Sequence, residues 1–96
     1  MNRKEHLQFI TNHIVKDLLS EKLLGVKAQW EDETAHITFY VIGELSESEQ
    51  ECVSEACTEI IAQYPTGFLN EEIIFLSPSQ KLPPSEYWAY KKSNAI

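Results

Sequence analysis

The chain has 96 residues, of which 43% are hydrophobic and 10% aromatic, a composition typical of a single globular domain rather than a disordered chain. Its formal net charge is −7, from 15 acidic and 8 basic side chains. An acidic surface repels phosphate groups, so the charge argues against binding to nucleic acid or to an anionic membrane. A basic protein partner is the complementary expectation.

The first predicted element is a helix over residues 3–24. Asn2 followed by Glu5 has the form of a capping box, and apolar residues then recur at helical spacing. Gly25, which follows "KLL", suits the position just beyond a helix C-terminus. We therefore expect the helix to stop there.

Two strands are predicted next, over "VKAQW" (26–30) and "TAHITFYVI" (34–42), because apolar and polar residues alternate in both. His36, Thr38 and Tyr40 share one side of the second strand, which is either a plain outward face or a binding face. Imidazole and phenol groups can also serve acid–base chemistry, but no nucleophile motif or phosphate-binding loop accompanies them. The sequence therefore predicts no enzyme.

A second helix is predicted after Gly43. Ser46 with Glu49 forms another capping box, and "YPTG" (64–67) ends the helix because proline restricts the residue before it. One face of this helix carries apolar residues at helical spacing, namely Val53, Ala56, Cys57, Ile60 and Tyr64.

The C-terminal part is predicted to contain two further strands. "FLNEEIIFL" (68–76) is rich in branched and aromatic residues, and a proline-rich loop (77–86) separates it from "YWAYKK" (87–92), for which a short helix is the alternative. The predicted fold is α+β, a two-layer α-β-β-α-β-β arrangement with an antiparallel sheet and two helices on one face. All 96 residues form one domain in this prediction.

Charge is distributed very unevenly along the chain. Residues 28–80, here called the central segment, contain eleven acidic residues and no Lys or Arg, whereas the flanks carry all eight bases and four acids and sum to +4. The segment is either a solvated face screened by flanking lysines or a docking surface for a cationic partner. A metal site is the third alternative, but neither the Ca²⁺-loop spacing nor Glu-x-x-His pairs occur, so we predict no metal and no cofactor.

The predicted partner-binding residues come from this segment. Four glutamates spaced four apart follow one side of the second helix, where like charges at i,i+4 cost about 0.2 to 0.5 kcal/mol per pair. Two aromatic residues join the acids because Trp and Tyr are favoured interface anchors. The full set is Glu31, Asp32, Glu33, Glu44, Glu47, Glu51, Glu55, Glu59, Glu71, Glu72, Trp30 and Tyr40.

The sequence also predicts a cytoplasmic location. The N-terminal "MNRKEHLQFI" lacks the apolar stretch of a signal peptide, and the longest apolar runs are too short to span a bilayer. Cys52 and Cys57 lie five residues apart on the second helix and point in different directions, so they cannot readily pair. Two buried free thiols suit a reducing compartment.

This profile resembles the small acidic immunity proteins with which bacteria neutralise cognate toxins, including those of contact-dependent inhibition and other polymorphic toxin systems. The resemblance rests on a short α/β chain, on acidic residues from Glu31 to Glu72, and on an aromatic-basic terminal strand, "YWAYKK". It implies a non-enzymatic inhibitor that binds a basic, nuclease-type toxin domain through its acidic surface. The alternative is a structural or adaptor subunit that self-associates through its sheet face or edge, and both monomer and homodimer remain open.

Overall fold

The computed structural model describes residues 2–92, which form two α-helices and one four-stranded sheet. The elements in chain order are α1 (Arg3–Val15), β1 (Leu23–Glu31), β2 (Thr34–Ile42), α2 (Glu47–Ile61), β3 (Phe68–Leu76) and β4 (Trp88–Lys91). A short 3-10 helix, Ser20–Lys22, precedes β1. The predicted α+β class and element order are confirmed.

Both helices contribute their apolar faces to one core against the sheet. Leu7 and Val15 of α1 are fully buried, as are Val53 and Ile60 of α2. The inward side chains of the two central strands complete this cluster, namely Val26, Ala28, Ala35, Ile37, Phe39 and Val41. The opposite face of the sheet has no helix over it among the described elements.

The prediction of a purely antiparallel sheet is wrong. The strand order is β3-β2-β1-β4, with β1 antiparallel to both β2 and β4 but β2 parallel to β3. A parallel neighbour requires a long crossover connection, and residues 43–67, which include α2, supply it. The sheet is therefore mixed, and β3 forms one of its edges.

The predicted end of the first helix is also wrong. α1 stops at Val15, Leu19 adopts a left-handed conformation with φ 59°, and β1 has already begun at Leu23. Gly25 lies inside β1, where a Cβ atom would come within 2.7 Å of the Trp88 ring. The glycine thus permits close ring packing instead of ending a helix.

The last predicted strand forms, and one of the two cysteines is buried. Residues 88–91 form β4, which confirms the strand prediction, but β4 pairs with β1 at the edge opposite β3. The proline-rich loop must therefore cross from one side of the sheet to the other. Cys57 is buried as expected, whereas Cys52 is exposed.

Candidate functional site

Helix α2 separates an apolar face from an acidic one. Its buried residues are Val53, Ala56, Cys57 and Ile60, while the four glutamates predicted to bind a partner are all exposed. We call these four the α2 stripe: Glu47, Glu51, Glu55 and Glu59. Ser46 caps the helix, since its hydroxyl accepts from the Glu49 N–H and the Glu49 carboxylate accepts from the Ser46 N–H. The local sequence thereby places the stripe on the solvent side of a well-defined helix.

One flanking lysine does fold back onto α2, but it pairs outside the stripe. Lys22 Nζ lies 2.9 Å from Glu49 Oε1 and donates to the Glu44 carbonyl at 3.0 Å. The hydrogen bond from Lys22, followed by that from the Ser46 N–H, lowers the pKa of Glu49. Within residues 2–92, no ion pair involves a carboxylate of the α2 stripe.

Other cations of the N-terminal flank lie over aromatic rings. The Arg3 guanidinium stands 4.0 Å from the ring centroid of Trp30, and its Nη2 donates to the Asp32 carbonyl. Lys27 Nζ lies 5.3 Å from the ring centroids of both Tyr40 and Trp88. These contacts direct the two cations to aromatic faces instead of the α2 stripe.

The turn between β1 and β2 holds three of the predicted acids. Asp32 adopts a left-handed conformation with φ 55°, and the Glu33 carbonyl accepts the Phe68 N–H at 2.9 Å. Glu31 Oε1 lies 3.4 Å from His36 Nε2. All three acidic side chains are exposed, so the turn presents a second group of carboxylates, beside the start of β3.

Glu71 and Glu72 project from opposite faces of β3. Glu71 is in register with the buried Ile37 and therefore faces the helices, whereas Glu72 is in register with Thr38 on the sheet face that has no helix over it. Burial, together with the nearby Glu71 charge, raises the pKa of the Cys57 thiol to about 12. Cys57 is consequently an unreactive core residue at neutral pH.

The two aromatic residues predicted as partner anchors are largely used within the fold. The Trp30 ring packs edge-on against Tyr64 at a centroid distance of 4.9 Å, and its Nε1 donates to the Arg3 carbonyl. Tyr40 retains only 7% exposure and lies against Trp88. Neither offers a partner much surface in this conformation.

Sequence reasoning missed the aromatic residues that are exposed on the sheet. Phe68 and Phe75, near the two ends of β3, are 68% and 54% exposed. The residues of "FLNEEIIFL" predict a strand, but they do not specify which strand it pairs with or that it occupies an edge. The exposure of Phe68 and Phe75 therefore follows from the sheet topology and could not be predicted from the residue pattern.

The outward face of β2 holds the His36 group that suggested acid–base chemistry. His36 lies between the Glu31 carboxylate and the Asn70 amide, whose Nδ2 is 3.3 Å from His36 Nδ1. Tyr40 is turned to Trp88. Across residues 2–92, no group of three or more potential metal ligands comes together.

The two described helices are also too short and too polar to cross a membrane.

Comparison with known proteins identifies the family. A protein-family model described as MafI2 immunity protein matches residues 9–94. This span includes slightly more than half of α1 and every later element. None of the curated proteins compared with the chain matches it. The predicted resemblance to toxin-immunity proteins is confirmed, and the match supports an immunity role with a cognate toxin as partner. The chain belongs to the MafI2 immunity protein family.

Proposed function

We propose that this protein neutralises its cognate toxin in the cytoplasm by binding a cationic, nuclease-type toxin domain through its acidic surface. The α2 stripe carries the proposal, because its four exposed carboxylates make no ion pair within residues 2–92. The carboxylates of the β1–β2 turn, together with Glu44 and Glu71, add further exposed acidic groups, and Glu72 adds one on the sheet face opposite the helices. Inhibition then needs only occlusion of the toxin, with no reaction catalysed by this chain.

The energetics of the free protein support this proposal. Like charges at i,i+4 on a helix repel by about 0.2 to 0.5 kcal/mol per pair, and the stripe contains three such successive pairs. Basic side chains of a partner relieve that repulsion on binding. Charge complementarity of this kind raises the association rate and disfavours wrong partners.

The decisive measurement is the affinity for the catalytically inactivated cognate toxin domain at low and high salt. The double variant Glu51→Lys plus Glu55→Lys should bind at least about tenfold more weakly, chiefly through slower association at low salt. Raising the salt concentration should weaken the wild-type complex and narrow the difference between the two proteins.

A matched control separates the location of the charge from its amount. Asp17→Lys plus Glu21→Lys changes the net charge equally, but in the connection between α1 and β1, outside the central segment. This control should retain most of the wild-type affinity. Electrostatic docking through the stripe is ruled out if binding proves insensitive both to salt and to the stripe substitutions.

A further inference from the structure

The two edges of the sheet differ in how well they are protected from pairing with another strand. β4 has only four residues, its pairing with β1 contains a register shift, and a proline-rich loop precedes it. β3 has nine residues, contains no proline, and pairs with β2 in continuous register from end to end. Short strands, irregular pairing and proline hinder the pairing of an edge with another strand. β3 lacks these features, so it is the edge that is open to another strand.

Backbone groups along β3 are available to such a strand. β3 has β2 as its single neighbour in the described sheet. In a parallel pair, alternate residues direct their N–H and C=O groups away from the neighbour, and at an edge those groups remain without a strand partner. Addition of an extended segment would satisfy them, as in recognition by β-augmentation.

Exposed apolar side chains lie near both ends of this edge. Phe68 is in register with Thr34 on the sheet face that has no helix over it, whereas Phe75 is in register with Val41 on the helix side. Each exposes more than half of its surface. An added strand would therefore have apolar surface to contact on both faces of the sheet.

The charges at the centre of β3 determine which occupant fits. Two copies of β3 paired antiparallel and centred on Glu71 or Glu72 would bring like charges directly opposite each other, which destabilises a strand pair. A register centred on Ile73 instead sets Glu71 against Phe75. A second copy is thus a poor match, whereas a strand with Lys or Arg at its centre and apolar residues near its ends is complementary.

We propose that β3 receives an extended, basic segment of the cognate toxin, which joins the sheet as a fifth strand. This inference rests on the proposed function and specifies a second region of contact beside the α2 stripe. Main-chain hydrogen bonds would supply the affinity at this region, and Glu71 and Glu72 would select for a cationic sequence.

Hydrogen exchange tests the strand addition directly. In the complex of the full chain with the inactivated toxin domain, amides within residues 68–76 that exchange rapidly in the free protein should become strongly protected. Unchanged exchange in β3, with binding still tight and salt-dependent, overturns this inference and leaves the acidic docking intact. A wild-type chain that does not bind the toxin domain overturns both.

A matched pair of substitutions gives an independent test. Phe75→Ser should weaken toxin binding by about tenfold or more, as expected of an aromatic interface anchor. Phe9→Ser alters a comparably exposed phenylalanine on α1, where exposure is 60%, and should leave the affinity within about twofold, the level of surrounding near-neutral contacts. Equal effects of the two substitutions contradict the proposal. So does a homodimer in sedimentation that Phe75→Ser dissociates, because the edge would then serve self-association.

Discussion

Thr11 is a buried polar residue whose hydroxyl has no hydrogen-bond partner within residues 2–92. It lies on the core side of α1 with Leu7 and Val15, and its relative exposure is 0%. A buried hydroxyl that loses water without gaining a partner costs about 1 to 3 kcal/mol. The position therefore lowers the stability of the free protein.

Thr11→Val should raise the free energy of unfolding by about 1 kcal/mol, because a methyl group replaces the unsatisfied hydroxyl at nearly the same volume. Helix propensity changes little, since Thr and Val rank close together. Urea unfolding of the two proteins measures the difference. Thr11→Ala is the control, since it also removes a methyl group and should lose part or all of the gain. A destabilised Thr11→Val protein would mean that the hydroxyl has a partner in solution.

At the scale of an element, α2 depends on the interactions at its N-terminus. Glu49 accepts hydrogen bonds from the Ser46 N–H and from Lys22, which lower its pKa. A carboxyl group with a lowered folded-state pKa stabilises the protein above its unfolded value of 4.5. That contribution is lost as the pH falls through the lowered folded-state pKa.

Glu49→Gln should reduce stability at neutral pH and flatten the decline in stability below pH 4.5. Both effects follow because the uncharged amide cannot titrate and forms a weaker interaction with Lys22. Chemical unfolding at a series of pH values compares the two proteins. Glu51→Gln is the control, since Glu51 lies outside the capping box and ion pair. This control should raise stability slightly at neutral pH because it removes the repulsion by Glu47 and Glu55. Parallel pH profiles for wild type and Glu49→Gln would contradict this account.

At the scale of the whole molecule, the charge distribution opposes the stability of the free protein and, under the proposed function, favours its association with the toxin. Five bases of the flanks contact Glu49, Glu86, aromatic rings or backbone carbonyls, namely Arg3, Lys4, Lys22, Lys27 and Lys92. The α2 stripe has no basic neighbour within ion-pair distance in residues 2–92. Surface charge kept for a partner commonly costs stability in the unbound protein. The same side chains should therefore have opposite effects on folding and on binding.

Glu55→Lys tests that opposition with one substitution. It turns the repulsive contacts with Glu51 and Glu59 into attractive ones, which should raise the free energy of unfolding by about 1 kcal/mol at low salt. Toxin affinity should fall in the same protein. Thermal unfolding and titration with the inactivated toxin domain measure the two effects, with Asp17→Lys as the control for net charge. A variant that is both less stable and equally tight in binding would refute the trade-off.

Locally encoded features were predictable from the sequence. The capping box at Ser46 and Glu49 and the stop at Pro65 placed α2 within a few residues, and alternation identified β1 and β2. The segregation of acids from bases is a property of the sequence itself. These features depend on spacings of at most a few residues or on composition, so they need no knowledge of distant contacts.

Only the tertiary structure decided the features that depend on which distant residues meet. β3 is parallel to β2 because α2 carries the chain back across the core, and β4 reaches the far edge, where Trp88 packs over Gly25. The same packing draws Trp30 and Tyr40 into the fold and leaves Phe68 and Phe75 exposed. Strand order and side-chain burial are settled by the best overall packing of the chain, so no short sequence pattern specifies them.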